Sequence, residues 1–152
     1  MYSHKFQKLS LVIIVSCFFV CSCSYKKEIE IGTDIAFVQE QFPEIKDIED
    51  VKYCYNVKSN NREIGLQSIE FCGFIKIGNG FYEKITHDYE WKETKQSRKK
   101  VPKKNLVEGD NEEYHFVYNY DFSHDGKYKT HSWGGEFWLD KEKKTLYFEC
   151  DW

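Results

Sequence analysis

Val51-Lys52-Tyr53-Cys54-Tyr55-Asn56-Val57 alternates apolar or aromatic side chains with polar ones, and Ile69, Phe71, Gly73, Ile75 and Ile77 recur at every second position of the next patterned stretch. A period of two is the pattern of a strand with one buried face. The polar run Ser59-Asn60-Asn61-Arg62-Glu63 separates the two stretches, which predicts a β-hairpin. Slipping a strand by one residue turns every side chain to the other face, so both apolar faces point inward only when odd residues oppose odd residues. A pairing sum of 126 sets Tyr55 against Phe71, Val57 against Ile69 and Cys54 against Cys72, while 124 or 128 leaves the cysteines diagonal. Facing cysteines make Cys54 and Cys72 the candidate disulfide, closing a loop worth about 3 kcal/mol in the chain-entropy account. Two thiols are the alternative, and Cys150 leaves the count of cysteines beyond the N-terminal cluster odd.

Working outward, Thr33 or Asp34 can cap a short helix over Asp34 to Gln41, which Pro43 ends by disfavouring helical geometry at Phe42. After Asn79-Gly80, the spacing of Phe81, Tyr82, Ile85, Tyr89 and Trp91 predicts a second helix within Phe81 to Thr94. Lys95 to Gly109 has no periodicity, contains Pro102 and reads as a loop. Three aromatic strands are expected over Glu113 to Phe122, Tyr128 to Leu139 and Thr145 to Asp151, with turns between them. The expected class is α+β: an antiparallel sheet of about five strands, a hairpin plus a C-terminal three-stranded meander, with two helices mainly on one face.

The bulk composition agrees with one folded unit. The chain has 152 residues, 41% hydrophobic and 18% aromatic, far more apolar surface than a disordered chain carries. A net charge of −3 gives it none of the basic footprint of a nucleic-acid wrapper, so no nucleic-acid partner is expected.

The first residues form a separate object. Lys5 and Lys8, with no acidic residue before Cys23, precede the apolar run Leu9 to Val20. Leu9 to Cys23 covers 15 positions, short of the roughly 20 that span a bilayer core, and the layout is that of an export signal. Val20-Cys21-Ser22-Cys23 places a small residue before a cysteine at the end of that run, and over about its first 24 residues the chain resembles bacterial lipoprotein precursors. The resemblance implies cleavage before Cys23, acylation of Cys23 and anchoring of the mature chain on a membrane through its N-terminal lipid. Each buried methylene contributes about 0.8 kcal/mol to such an anchor. Cys17, in Ile14-Val15-Ser16-Cys17, is the rival site, but cleavage there strands Phe18, Phe19 and Val20 on the mature protein. Ser24 after Cys23 implies outer-membrane sorting in a Gram-negative envelope. The expected organisation is a signal peptide over 1–22, a lipidated cysteine and tether over 23–32, and a single α+β domain over 33–152. The mature 130 residues hold 20 basic and 25 acidic side chains, or −5.

Chemistry-bearing residues are sparse. His87, His115, His124 and His131 lie in the expected domain, but adjacent residues on one element point apart, so His87-Asp88 and His124-Asp125 are not dyads. His115 and His131 with an acid would be the constellation of a hydrolase or metal enzyme, the least favoured reading. There is no GxSxG, HExxH, phosphate-cradling glycine loop or zinc spacing, and no cofactor is expected.

Two surface features suggest binding instead. Lys92, Lys95, Arg98, Lys99, Lys100, Lys103 and Lys104 face only Glu93 in the same stretch, making Arg98, Lys99, Lys100, Lys103 and Lys104 candidates for contact with an anionic partner. Tyr114, Phe116, Tyr118, Tyr120 and Phe122 would share one face of a strand, mostly core, with Tyr118 and Tyr120 as a candidate aromatic patch for a glycan or protein. The expected function is that of an envelope lipoprotein with a non-catalytic binding or shielding domain, its partner an envelope protein or glycan. A periplasmic immunity or inhibitor protein neutralising a basic toxin or enzyme is the alternative.

Overall fold

The computed structural model describes residues 31–59, 67–107, 113–128 and 134–151. Cys17, Cys23, His131 and Trp133 lie outside the described residues. The fold is α+β, as the hairpin-plus-meander pattern predicts. The strands are β1 (Ile31–Gly32), β2 (Ile48–Ser59), β3 (Gln67–Ile77), β4 (Phe116–Tyr118), β5 (Gly134–Asp140) and β6 (Thr145–Asp151). They form a six-stranded antiparallel sheet in the order β1-β2-β3-β6-β5-β4. The hairpin and the meander meet along β3 and β6, and Ile31–Gly32 adds an edge strand at the end of the expected tether.

The hairpin adopts, of the registers that inward-facing odd residues allow, the one with pairing sum 126. Val51 lies opposite Ile75, Tyr55 opposite Phe71, and Cys54 opposite Cys72. An irregularity between Ile48 and Asp50 breaks the alternation and sets Ile48 opposite Ile77. A bulge of this kind returns an apolar residue to the covered face at the end of a strand, and Ile48 packs against the main core.

Helices α1 (Ile35–Gln41), α2 (Asn79–Asp88) and α3 (Tyr120–His124) supply the covering layer. Asp34 caps α1, its Oδ1 accepting from the Ala36 and Phe37 amides at 2.8 and 3.2 Å. Its carboxylate thereby satisfies donors that the first helical turn leaves over. Phe42 closes α1, as Pro43 predicts. Gln39 then ties down the turn by donating to the carbonyls of Phe42, Pro43 and Ile45.

The second helix is shorter than its aromatic spacing suggests. It starts at Asn79 and ends at Asp88. Trp91 instead reaches back from the following loop, its indole N–H donating to the Ile85 carbonyl at 3.0 Å. Trp91 thus belongs to the same core without belonging to the helix.

The largest departure is in the expected aromatic strands. Glu113 to Phe122 is a strand only over Phe116–Tyr118, after which α3 begins. Asn119 redirects the chain: its side-chain oxygen accepts from the Phe122 amide at 2.7 Å as the cap of α3, and its amide donates to the Glu90 carbonyl at 3.0 Å. Phe122 is therefore carried to the helix-covered face while Tyr118 stays on the other. Tyr128, expected in a strand, sits in a single 3₁₀ turn over Gly126–Tyr128.

The sheet separates two cores. On the helix-covered face, Val38 from α1, Phe42 just past its end, and Phe81 and Ile85 from α2 pack with Phe71, Ile75, Phe137, Leu146 and Phe148 from the strands. On the opposite face, Cys54, Cys72, Phe74, Trp138 and Tyr147 are covered by Leu106, Val107 and Tyr114 from the loop between α2 and β4. Both faces of the central strands are thus buried, although among the described residues only one carries α-helices.

Candidate functional site

The basic loop is the covering of the second face. Ser97 anchors it locally, its hydroxyl accepting from the Thr94 amide at 2.8 Å while the Thr94 hydroxyl accepts from the Ser97 amide at 2.9 Å. Leu106, only 1% exposed, plugs the loop into the sheet. The Lys103 amide donates to the Tyr147 hydroxyl at 3.2 Å, and that hydroxyl donates to Glu149 Oε1 at 2.6 Å.

Two of the candidate anion-binding cations turn inward. Lys100 Nζ stands 3.9 Å from the centre of the Trp138 ring and 2.5 Å from Glu149 Oε2. Lys103 pairs with Glu70. Burial pulls the Lys103 ammonium down, but the hydrogen bond to Glu70 and the nearby charges lift it above the ordinary lysine range. The acids opposing these lysines come from β3 and β6, far away in sequence. Arg98 holds Glu93 at 3.4 Å, whereas Lys99 and Lys104 are exposed. The five cations therefore divide into a pair that fastens the loop and an outer set facing solvent.

The candidate aromatic patch also divides. Tyr118 is 9% exposed and donates its hydroxyl to Glu136 Oε1 at 3.0 Å. Burial, with that hydrogen bond, pushes its pKa up to about 12. Tyr120 is 64% exposed, one residue past the cap of α3, and stacks on His124 with ring centres 4.0 Å apart. The continuous even-numbered face ends at Asn119, because a helix does not preserve the two-residue period of a strand.

The described histidines do not converge. His87 Nδ1 lies 3.1 Å from Asp88, His124 Nδ1 lies 2.9 Å from the Tyr120 carbonyl, and the His115 backbone amide donates to Asp140 at 3.0 Å. Asp140 spends its other oxygen on the Glu142 and Lys143 amides of the β5–β6 turn. Among the described residues no group of three or more His, Cys, Asp or Glu side chains could hold a metal ion.

A more site-like feature lies at the end of the helix layer. Glu44, Lys46, Asp47, Phe81, Lys84 and Lys127 surround a cavity of about 450 Å³ closed by Tyr128. That volume is within the range of small-molecule sites, about 300–1,000 Å³. Its positions are set by three local devices. Asp47 takes a left-handed backbone, φ 56°, and its carbonyl accepts from the Gly78 amide at 2.7 Å. A Cβ at Gly78 would meet the Asp47 carboxylate at 2.2 Å, so a side chain there would turn the exposed Asp47 side chain away from the start of α2. On the other side, Asp125 Oδ2 accepts from the Tyr89 hydroxyl at 3.0 Å and pairs with Lys127 at 2.8 Å. The Lys127 ammonium holds the Asp125 carboxyl below the usual carboxylate range, and burial pushes Tyr89 up to about 12.

Tyr128 is 1% exposed, and its hydroxyl has no hydrogen-bond partner among the described residues. A buried hydroxyl without a partner costs about 1–3 kcal/mol, and the ring of Tyr128, rather than its hydroxyl, forms the wall of the cavity. The rim offers donors and acceptors together: Lys84 is paired with Asp88 at 2.9 Å, and Lys46 donates to the Pro43 carbonyl.

Against known proteins, the chain matches no family model, no curated protein and no solved structure. The site is therefore argued from its own geometry. Sequence reading did not single it out, because Lys46, Lys84 and Lys127 come from three separate elements and show no shared spacing. Asp125-Gly126 reads as a turn, which it is, and nothing in the sequence says that the turn delivers Tyr128 to a cavity.

Proposed function

We propose that this chain is a lipid-anchored protein of the bacterial envelope whose α+β domain binds a polar ligand, an envelope glycan segment being the best fit, without transforming it. The address is supported by the apolar run Leu9 to Val20 followed by Cys23. The binding reading is carried by one observation: a cavity of about 450 Å³ at which Lys46, Lys84 and Lys127 meet the carboxylates of Glu44 and Asp47. A sugar suits that combination, since its hydroxyls both donate and accept and can satisfy mixed lysine and carboxylate groups without delivering a net charge to them.

The two halves are tested separately. The full chain is expressed in a bacterial host with labelled palmitate, and Cys23→Ala is compared with Cys17→Ala. Loss of label with Cys23→Ala is the expected result, and retention of label in both variants overturns the lipid anchor. For the ligand, envelope oligosaccharides are titrated against the protein while amide shifts are followed. Shifts centred on Gly80, Lys84 and Lys127 that weaken in Lys84→Ala support the site. Binding unaffected by Lys84→Ala and Lys127→Ala places the ligand elsewhere.

A further inference from the structure

The covered face opposite the helices holds a second chemical feature, the facing cysteines of the hairpin. We infer that Cys54 and Cys72 close into a cross-strand disulfide as the exported chain folds, and that the loop carrying Lys100 and Lys103 then seals it; the oxidising setting rests on the envelope reading proposed above.

The register decides which cysteines can meet. Cys54 and Cys72 are directly opposed across β2 and β3. Cys150 is opposed to Phe71, the neighbour of Cys72, so its side chain lies on the helix-covered face, where it belongs to the other core. A sheet separates Cys150 from both partners, and the odd cysteine is thereby assigned. All three are thiols in this structure.

Local backbone geometry favours closure. Facing Cβ atoms in an antiparallel pair are ordinarily about 4.5–5.5 Å apart, against about 3.5–4.5 Å across a disulfide. The two strands approach closely beside the cysteines: a Cβ on Gly73 would lie 2.5 Å from the Lys52 carbonyl and 2.8 Å from Tyr53 Cα. Glycine at this position lets the hairpin draw together where the sulfurs face each other.

Timing follows from burial. Cys54 is 3% exposed and Cys72 is 0% exposed. Leu106 covers the same cluster and the Lys103–Glu70 pair stands over it. A hydrogen bond with Cys54, together with burial, raises the Cys72 thiol far above its ordinary range. Thiolate is the attacking species in disulfide exchange, so the folded dithiol reacts slowly and the bond forms before the loop closes. The oxidant is a disulfide, either that of a dithiol–disulfide oxidoreductase or oxidised glutathione. One cysteine thiolate attacks it, releasing one reduced thiol and forming a mixed disulfide. The other cysteine thiolate then displaces the second reduced thiol. The protein loses two protons and two electrons, and the oxidant gains them.

Tryptic mapping separates the sulfurs, because cleavage after Lys52, Lys58, Arg62 and Lys76 puts Cys54 in peptide 53–58 and Cys72 in peptide 63–76. The reduced, unfolded full chain is refolded in a glutathione redox buffer, quenched, denatured and alkylated without reduction. The expected result is one linked species, two hydrogens lighter than the two reduced peptides together, with loss of both alkylated peptides and with Cys150 alkylated. Recovery of the two alkylated peptides overturns the inference, as does linkage of either cysteine to Cys150. Cys150→Ser leaves the link in place if the assignment is right. The same mapping on palmitate-labelled protein from envelope fractions keeps the two claims apart: label without the link sinks only the disulfide, and the link without label sinks only the lipid anchor.

Discussion

The two faces of the sheet are buried by different means. On the helix-covered face, Phe71 meets Phe37 of α1, Phe42 just past that helix and Phe148 of β6 with ring centres 5.7, 5.6 and 4.7 Å apart. On the other face, a loop whose described residues hold no regular element longer than a 3₁₀ turn covers Trp138, Tyr147, Cys54 and Cys72, and it is held by Lys100, Lys103, Glu149 and Glu70. A helix brings its own backbone hydrogen bonds and need only offer an apolar stripe. An irregular loop must be fastened at particular points, and here those points are charges at the margin of an apolar cluster.

That contrast can be broken first on the helix side. Phe71→Ala removes the ring at the centre of the aromatic packing, and a loss of about 3–5 kcal/mol in denaturant unfolding is expected. A loss below about 1 kcal/mol would mean that the core repacks and that this face is no more tightly specified than the other.

On the loop side, Lys100→Ala deletes a cation over Trp138 together with a partly exposed ion pair, and a loss of about 1–2 kcal/mol is expected. Because the pair is open to solvent in part, raising salt should narrow the gap between wild type and variant. An unfolding midpoint that ignores both the substitution and the salt would show that Leu106 alone retains the loop.

The alkaline limb sharpens the comparison further. Tyr118 has its folded pKa raised to about 12 from the ordinary 10.0. Its neutral form is favoured by folding, so its contribution is complete below pH 10 and is lost as pH rises through about 12. Tyr118→Phe should flatten part of the stability decline between these values, followed by thermal melts at stepped pH. An unchanged decline would assign it to the other tyrosines that burial raises, Tyr89 on the helix side and Tyr147 beneath the loop.

The smallest effect is expected at Tyr120. It neighbours Tyr118 in the chain region but is 64% exposed, and Tyr120→Ala should change stability by under about 0.5 kcal/mol. A larger loss in the same unfolding assay would mean that its stack on His124 stabilises α3 substantially.

The hairpin was legible because strand periodicity and the requirement for one buried face leave few registers, one of which sets Cys54 opposite Cys72. The short α1 was legible from Asp34 and Pro43, whose capping and backbone restriction act within a few residues. The C-terminal aromatic run was not. Tyr114 to Phe122 keeps a perfect alternation through Tyr118 and beyond, yet Asn119 finds the Glu90 carbonyl 29 positions earlier and caps a helix there. Alternation records which side chains are apolar, not whether one sheet or two layers receive them.

The sequence by itself determined the α+β class and the parity of the hairpin register, since each rests on spacing within a continuous stretch. Only the tertiary structure decided that Lys100 and Lys103 face the sheet, that Phe122 and Tyr118 lie in different cores, and that Lys46, Lys84, Lys127 and Tyr128 share a cavity. Those outcomes depend on partners from distant segments, and a side chain's surroundings are set by the layers that fold over it.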